Sequence, residues 1–84
     1  NIETISGALE KVNALRGVTF DKDGKRGLGV IAQEVEKILP EVVLDGEEYK
    51  SVAYGNIVGV LIEAMKEQQS QINELKEKLD GLTK

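Results

Sequence analysis

The sequence predicts an α+β fold, with a small head of short helices and β-hairpins followed by a long C-terminal helix that assembles as a coiled coil. Two observations carry this. Apolar residues at Val58, Leu61, Met65, Ile72, Leu75, Leu79 and Leu82 follow one another at steps of three, four, seven, three, four and three. That is the 3.5-residue repeat of a coiled-coil seam with one position unfilled. Ahead of it, two turn-forming clusters, Asp21-Lys22-Asp23-Gly24-Lys25 and Asp45-Gly46-Glu47-Glu48, each separate β-prone runs.

Taken in order, residues 1–5 are short and mixed, with Ile2 and Ile5 available for packing. Ala8, Leu9, Val12 and Leu15 share one helical face, which predicts a helix over 7–15 with Ser6 as its N-cap and Gly17 as its stop. Val18-Thr19-Phe20 is β-prone, and Leu28 to Ile31 closes a hairpin across the first turn cluster. Apolar positions at Ile31, Val35, Ile38 and Leu39 predict a second helix running to Pro40, which ends it. Val42-Val43-Leu44 and Tyr49-Lys50-Ser51-Val52 form a second hairpin around Asp45-Gly46. Tyr54 or Asn56 then opens the long helix. No internal repeat or flexible linker interrupts the chain, so residues 1–84 read as one domain with a head over about 1–54 and a stalk over about 55–82.

With Gln68 in the open position the heptad is complete. Position a is Val58, Met65, Ile72 and Leu79, and position d is Leu61, Gln68, Leu75 and Leu82. Lys66, Glu67, Asn73, Glu74, Glu77 and Asp80 point away from this seam. So narrow an apolar stripe cannot be covered by the helix that carries it, and it calls for identical helices alongside. Gln68 is either a polar residue tolerated within a long coil or a device that sets register and strand number.

The chain has 84 residues, and a lone domain of that size buries only roughly 60% of its unfolded surface, which again favours assembly. Its net charge of −4 and the lack of a basic patch argue against nucleic-acid and anionic-membrane partners. Without Cys or His there is no disulfide, thiol nucleophile, imidazole base or ordinary zinc site. No apolar run approaches the roughly 20 residues of a membrane span, and no signal peptide is visible. Because residue 1 is Asn instead of Met, the chain is expected to be a piece of a longer one.

Several patterns resemble chemistry and fail on spacing. Gly27-Leu28-Gly29-Val30-Ile31-Ala32 fits G-x-G-x-x-A, but no βαβ unit or acidic ribose ligand follows, so no cofactor is expected and the glycines are read as relief for close backbone packing. Asp21, Asp23 and Gly24 would need the glycine sixth and a Glu twelfth to hold calcium, whereas Gly24 is fourth and Ala32 twelfth. Ser6 and Lys11 are separated by about 500° of helical rotation and so lie on different faces, which leaves no nucleophile–base pair. The acidic pairs Glu34/Glu36 and Glu47/Glu48 read as solvated surface, and no metal site is expected.

One longer stretch is more specific. Gly29-Val30-Ile31-Ala32-Gln33-Glu34-Val35-Glu36-Lys37-Ile38-Leu39-Pro40-Glu41-Val42-Val43 is followed by a Gly-containing turn, by Tyr49-Lys50-Ser51-Val52-Ala53-Tyr54, and by Leu61-Ile62-Glu63-Ala64-Met65-Lys66-Glu67. With Asn1-Ile2, Leu9-Glu10-Lys11-Val12 and Leu15-Arg16-Gly17-Val18, this order resembles the C-terminal intramolecular chaperone domain of phage endosialidase tail spikes and tail fibres. The same self-cleaving domain type occurs in some membrane-tethered eukaryotic transcription factors. The family-like positions include Gly29, Ala32, Gln33, Glu34, Val35, Pro40 and Tyr54.

The resemblance implies a homotrimer that helps the preceding β-rich fibre or spike domain to trimerise and fold in the host cytoplasm during virion assembly. It further implies release by self-cleavage, so that the domain is absent from the mature virion. In that family a Ser of a Ser-Asp-x-x-x-Lys segment makes the cut with the Lys as base, and the segment sits immediately before the Asn-Ile found here at positions 1 and 2. Neither dyad residue is in this chain, so it is expected to be inactive as it stands, whether as the released chaperone or as a piece trimmed to its folded part. The β-branched a residues lean towards two strands, but the a set is mixed and the e/g ion pairs of a dimer are missing, with Lys76 and Lys78 facing Gln69, Gln71 and Thr83. The resemblance therefore decides for three. Two rival readings remain, a permanent trimerisation foot of a fibre with no release or chaperone role, and a peptidase acting on other substrates, which the missing nucleophile opposes.

Overall fold

The computed structural model describes residues 1–82. Helix α1 (Ala8–Ala14) leads into an antiparallel hairpin of β1 (Val18–Lys22) and β2 (Lys25–Gly29). Helix α2 (Ala32–Glu36), a 3-10 turn (Pro40–Val42) and a second antiparallel hairpin of β3 (Val43–Asp45) and β4 (Lys50–Val52) follow. Helix α3 (Tyr54–Leu82) closes the described chain. This is the expected α+β arrangement of two small hairpins before a long helix.

The turn chemistry explains both hairpins. Lys22 pairs with Lys25, which leaves Asp23 and Gly24 as a two-residue loop with φ of 52° and 76°. Positive φ at both loop positions is the type I′ geometry whose twist matches that of paired strands, and Asp-Gly supplies it at little steric cost. The second hairpin has a wider loop, closed by the Gly46 N–H donating to the Tyr49 carbonyl at 3.0 Å.

Two helix boundaries differ from expectation. Ser6 does not cap α1: the N-cap is Gly7, in the left-handed region at φ 64°, with no side-chain cap of its own. The Leu9 N–H instead donates to the Glu67 carboxylate, 58 residues further on, at 2.5 Å. Helix α2 stops at Glu36 well short of Pro40. The residue before a proline is kept out of the α region, and Leu39 lies at φ −134° and ψ 70°, so the chain leaves the helix early and swings Leu39 into the core. Pro40 then opens the 3-10 turn as its first residue, where a missing N–H costs nothing.

The core is small. Ala8, Val35, Leu39, Val42, Ile57, Val60 and Ala64 are buried, and Leu9, Val12, Leu15, Val30, Ile38, Val43 and Val52 pack around them. Three of the seven come from the first turns of α3, so this helix supplies head core and projection together. The Ala53 N–H donates to the Val42 carbonyl at 2.7 Å, which ties the end of β4 to the 3-10 turn just before α3 begins.

Because the Glu67 carboxylate takes the place of an N-cap, Glu67→Ala should lower stability by about 1 kcal/mol. Urea unfolding at matched protein concentration checks this, and an unchanged midpoint would show that Glu67 does not cap α1.

Candidate functional site

Helix α3 presents two different faces. Ile57, Val60 and Ala64 turn inward against α1 and the 3-10 turn. Val58, Leu61, Met65, Ile72, Leu75, Leu79 and Leu82 lie on a different stripe and are 41–82% exposed in the single chain. Gln68 is exposed on the same stripe. The eight seam residues of the sequence reading thus occupy one continuous, uncovered face. On its flank the Gln69 amide donates to Asn73 at 3.0 Å and the Lys66 ammonium lies 3.6 Å from Glu63. Neither contact crosses the seam.

The family-like residues serve the fold in separate ways. Val35 is buried in the core, Ala32 begins α2, Pro40 begins the 3-10 turn, and Gln33 is exposed. Glu34 receives a two-pronged hydrogen bond from Arg16, Nε to Oε1 at 3.2 Å and Nη2 to Oε2 at 2.6 Å. That bond holds the Glu34 carboxyl below its usual range and raises the Arg16 guanidinium. Glu34 is therefore an ion-pair partner and not merely solvated surface. Glu36 is likewise engaged: the Lys50 ammonium donates to both of its oxygens at 2.7 Å and lies 3.3 Å from Asp45. These contacts, Glu36 first, raise Lys50 above its ordinary value.

Gly29 and Tyr54, the remaining two, meet. A Cβ on Gly29 would stand 2.8 Å from the Tyr54 Oη and 3.5 Å from the Phe20 ring, and one on Gly27 would stand 2.6 Å from the Phe20 ring. The glycines of the G-x-G-x-x-A pattern do relieve crowding, but the crowding groups are aromatic side chains, not backbone. The Tyr54 hydroxyl accepts the Val30 N–H at 3.4 Å.

Sequence spacing missed the Arg16–Glu34 pair, the Lys50–Glu36–Asp45 cluster and the Glu67 cap. Each joins elements far apart in the chain, and the only available signal was opposite charge without a local partner. Among the described residues no polar side chain is buried and no acidic cluster has the arrangement to hold a metal ion. No described helix is long and apolar enough to cross a membrane. What the arrangement offers is an exposed apolar stripe along α3.

A family model described as chaperone of endosialidase matches residues 1–44. The long tail fiber proteins Gp37 of Enterobacteria phages M1 and Ox2 are each 38% identical over 86 residues, which covers 88% of this chain and 34% of theirs. Long tail fiber protein Gp37 of Enterobacteria phage K3 is 33% identical over 91 residues, 94% of this chain and 7% of its own length. The chain thus spans about a third of the M1 and Ox2 relatives and a smaller part of the K3 protein.

Gly29 lies inside the matched stretch, and its missing side chain is what admits Tyr54. Gly29→Ala should force the tyrosine ring aside, cost it the Val30 hydrogen bond and lower stability by about 1–3 kcal/mol. Urea unfolding reads this directly. A variant as stable as the parent would mean that the two aromatics yield freely.

Proposed function

The chain belongs to the chaperone-of-endosialidase family, and on that premise we propose that it acts as a C-terminal intramolecular chaperone for a phage tail fibre or spike. In this reading three copies join along α3, assist the attached fibre to trimerise and fold, and are released by self-cleavage upstream of residue 1. The observation that carries it is the uncovered seam on a helix whose other face is already committed to the core.

Surface area makes the same point in physical units. The chain exposes 6989 Å², whereas a compact monomer of 9.2 kDa would expose about 4,900 Å². The excess reflects the projecting helix α3, and the apolar part of it that further copies would cover is worth about 25 cal/mol per Å².

The route of the N-terminal segment supports a role at a fibre end. The Ile5 side chain sits 3.8 Å from the Cβ position of Gly59, so the chain enters the fold alongside α3. Joining three α3 helices therefore brings three upstream segments together and raises their effective concentration. Long-range β pairing is slow and exposes aggregation-prone edges, so a pre-formed trimer shortens the vulnerable phase. The head around Gly29–Val43 would brace the adjoining fibre end until the cut is made. The tail-fibre relatives support the fibre assignment, and the family resemblance supports both the number three and the release by a Ser/Lys dyad.

The test is a precursor carrying this chain behind its fibre domain. Sedimentation equilibrium should return three chains at micromolar concentration, and electrophoresis should show the precursor split into a fibre fragment and a separate small fragment that contains this chain. A monomer would sink the assembly role. An uncut trimer would sink release and leave a permanent foot of the fibre.

Gln68 gives a second, sharper check. At a seam layer three amides would meet on the axis, and a buried amide without a partner costs on the order of 1–3 kcal/mol. Gln68→Leu should therefore raise the melting temperature of the assembled chain, and if the layer sets strand number it should also broaden the mass distribution by light scattering. A variant that melts no higher would show that Gln68 is solvated or well paired.

A further inference from the structure

Two of the chain's three aromatic residues meet just above the seam. Phe20 from β1 and Tyr54 from the first turn of α3 both lean over Gly29, yet remain 40% and 55% exposed. The β1–β2 hairpin is a two-stranded sheet, and the Val30 N–H to the Tyr54 hydroxyl is its hydrogen-bonded tie to α3. An isolated two-stranded hairpin with an open face is marginal in water.

The register says what covers it. One heptad back from Leu61 is Tyr54, so Tyr54 stands at a d position directly before Val58 at a. A straight helix drifts only about 20° per heptad from the 3.5-residue repeat, too little to carry this layer off the seam. In a parallel symmetric coil, the arrangement in which every copy's head lies at one end, residues of one register meet their own kind at the same height. Copies that pair through Val58 and Leu61 must therefore bring Tyr54 against Tyr54 and Val58 of the next copy.

We propose that Tyr54 is the first layer of the seam and that the Phe20–Tyr54 face of the hairpin docks on a second copy of this chain. Assembly of α3 and fixing of the hairpin are then one event. The inference rests on the oligomeric reading above and extends it from the stalk into the head. Tyrosine suits the position because its ring offers apolar area while its hydroxyl keeps a polar partner, here the Val30 N–H. Strand alternation places Leu28, 80% exposed, on the opposite hairpin face from Phe20, and it takes no part.

The chain has two tyrosines and no tryptophan, so Tyr49→Phe leaves Tyr54 as the sole tyrosine emitter. Tyr49 is 72% exposed and hydrogen-bonds through its backbone carbonyl, so the substitution leaves the fold alone. Acrylamide quenching of this variant is read beside its mass by light scattering, with free N-acetyltyrosinamide as reference. Several-fold weaker quenching than the reference is expected in the assembled protein. In a mixture of isotope-labelled and unlabelled chains, filtered spectra should show contacts from the Tyr54 ring of one copy to the Val58 methyls of another. An assembled protein with interchain contacts at Leu61 and Met65 but none at Tyr54, and with quenching no weaker than 55% exposure allows, overturns the inference and leaves the oligomer standing. A chain that never assembles overturns both, and the mass identifies that case.

Discussion

The packing of Ile57, Val60 and Ala64 against α1 and the 3-10 turn is the contact on which the other elements depend. It fixes the rotation of α3 about its own axis. With those residues turned inward, the heptad positions are left outward, because neighbouring residues on a helix point about 100° apart. The head thus aims the seam, and the seam needs no orienting contact of its own. Rotating α3 by one residue would turn Val58 and Leu61 towards the head and break up the exposed apolar stripe.

Stability in the single chain comes from few groups. The seven buried side chains are aliphatic, the largest fully buried one is Val35, and none is polar. The ion pairs that join the elements, Arg16–Glu34 and Lys50–Glu36, lie at the surface, where screening by water keeps their contribution small. They fix geometry more than they add stability. The Arg16–Glu34 pair anchors the segment after α1 to α2, and Lys50 holds the second hairpin against the same helix. The helix α2 is short and loosely ended, so these lateral ties compensate for its few intrahelical bonds.

The legible parts of the sequence were those governed by local rules. Period 3.5 gave α3 and its exposed stripe, Asp23-Gly24 gave the first turn, and Asp45-Gly46 gave the second. The misreadings share one cause, which is that a distant partner overrode a local preference. Ser6 meets the local requirements of an N-cap, but the Glu67 carboxylate from α3 takes the Leu9 N–H that such a cap would bind. The apolar spacing through Leu39 suited a longer α2, but the core drew Leu39 out of helical geometry ahead of Pro40. The glycine pair at 27 and 29 signals close packing but suggests backbone as the neighbour, and only the folded chain shows that the Phe20 and Tyr54 side chains occupy the space. Charge pairs between elements left no trace in spacing at all.

The contact between Leu9 and Glu67 spans 58 residues, and Ala8 is buried in the same core as Ala64. Chains are made from the N-terminus, so α1 and both hairpins leave the ribosome while the surface that will hold them is still unmade. The head cannot close until α3 has emerged past Ala64, and anything preceding residue 1 in a longer chain has by then been fully synthesised. Closure of this core is in effect a timer: it cannot be completed until translation of everything before it is finished.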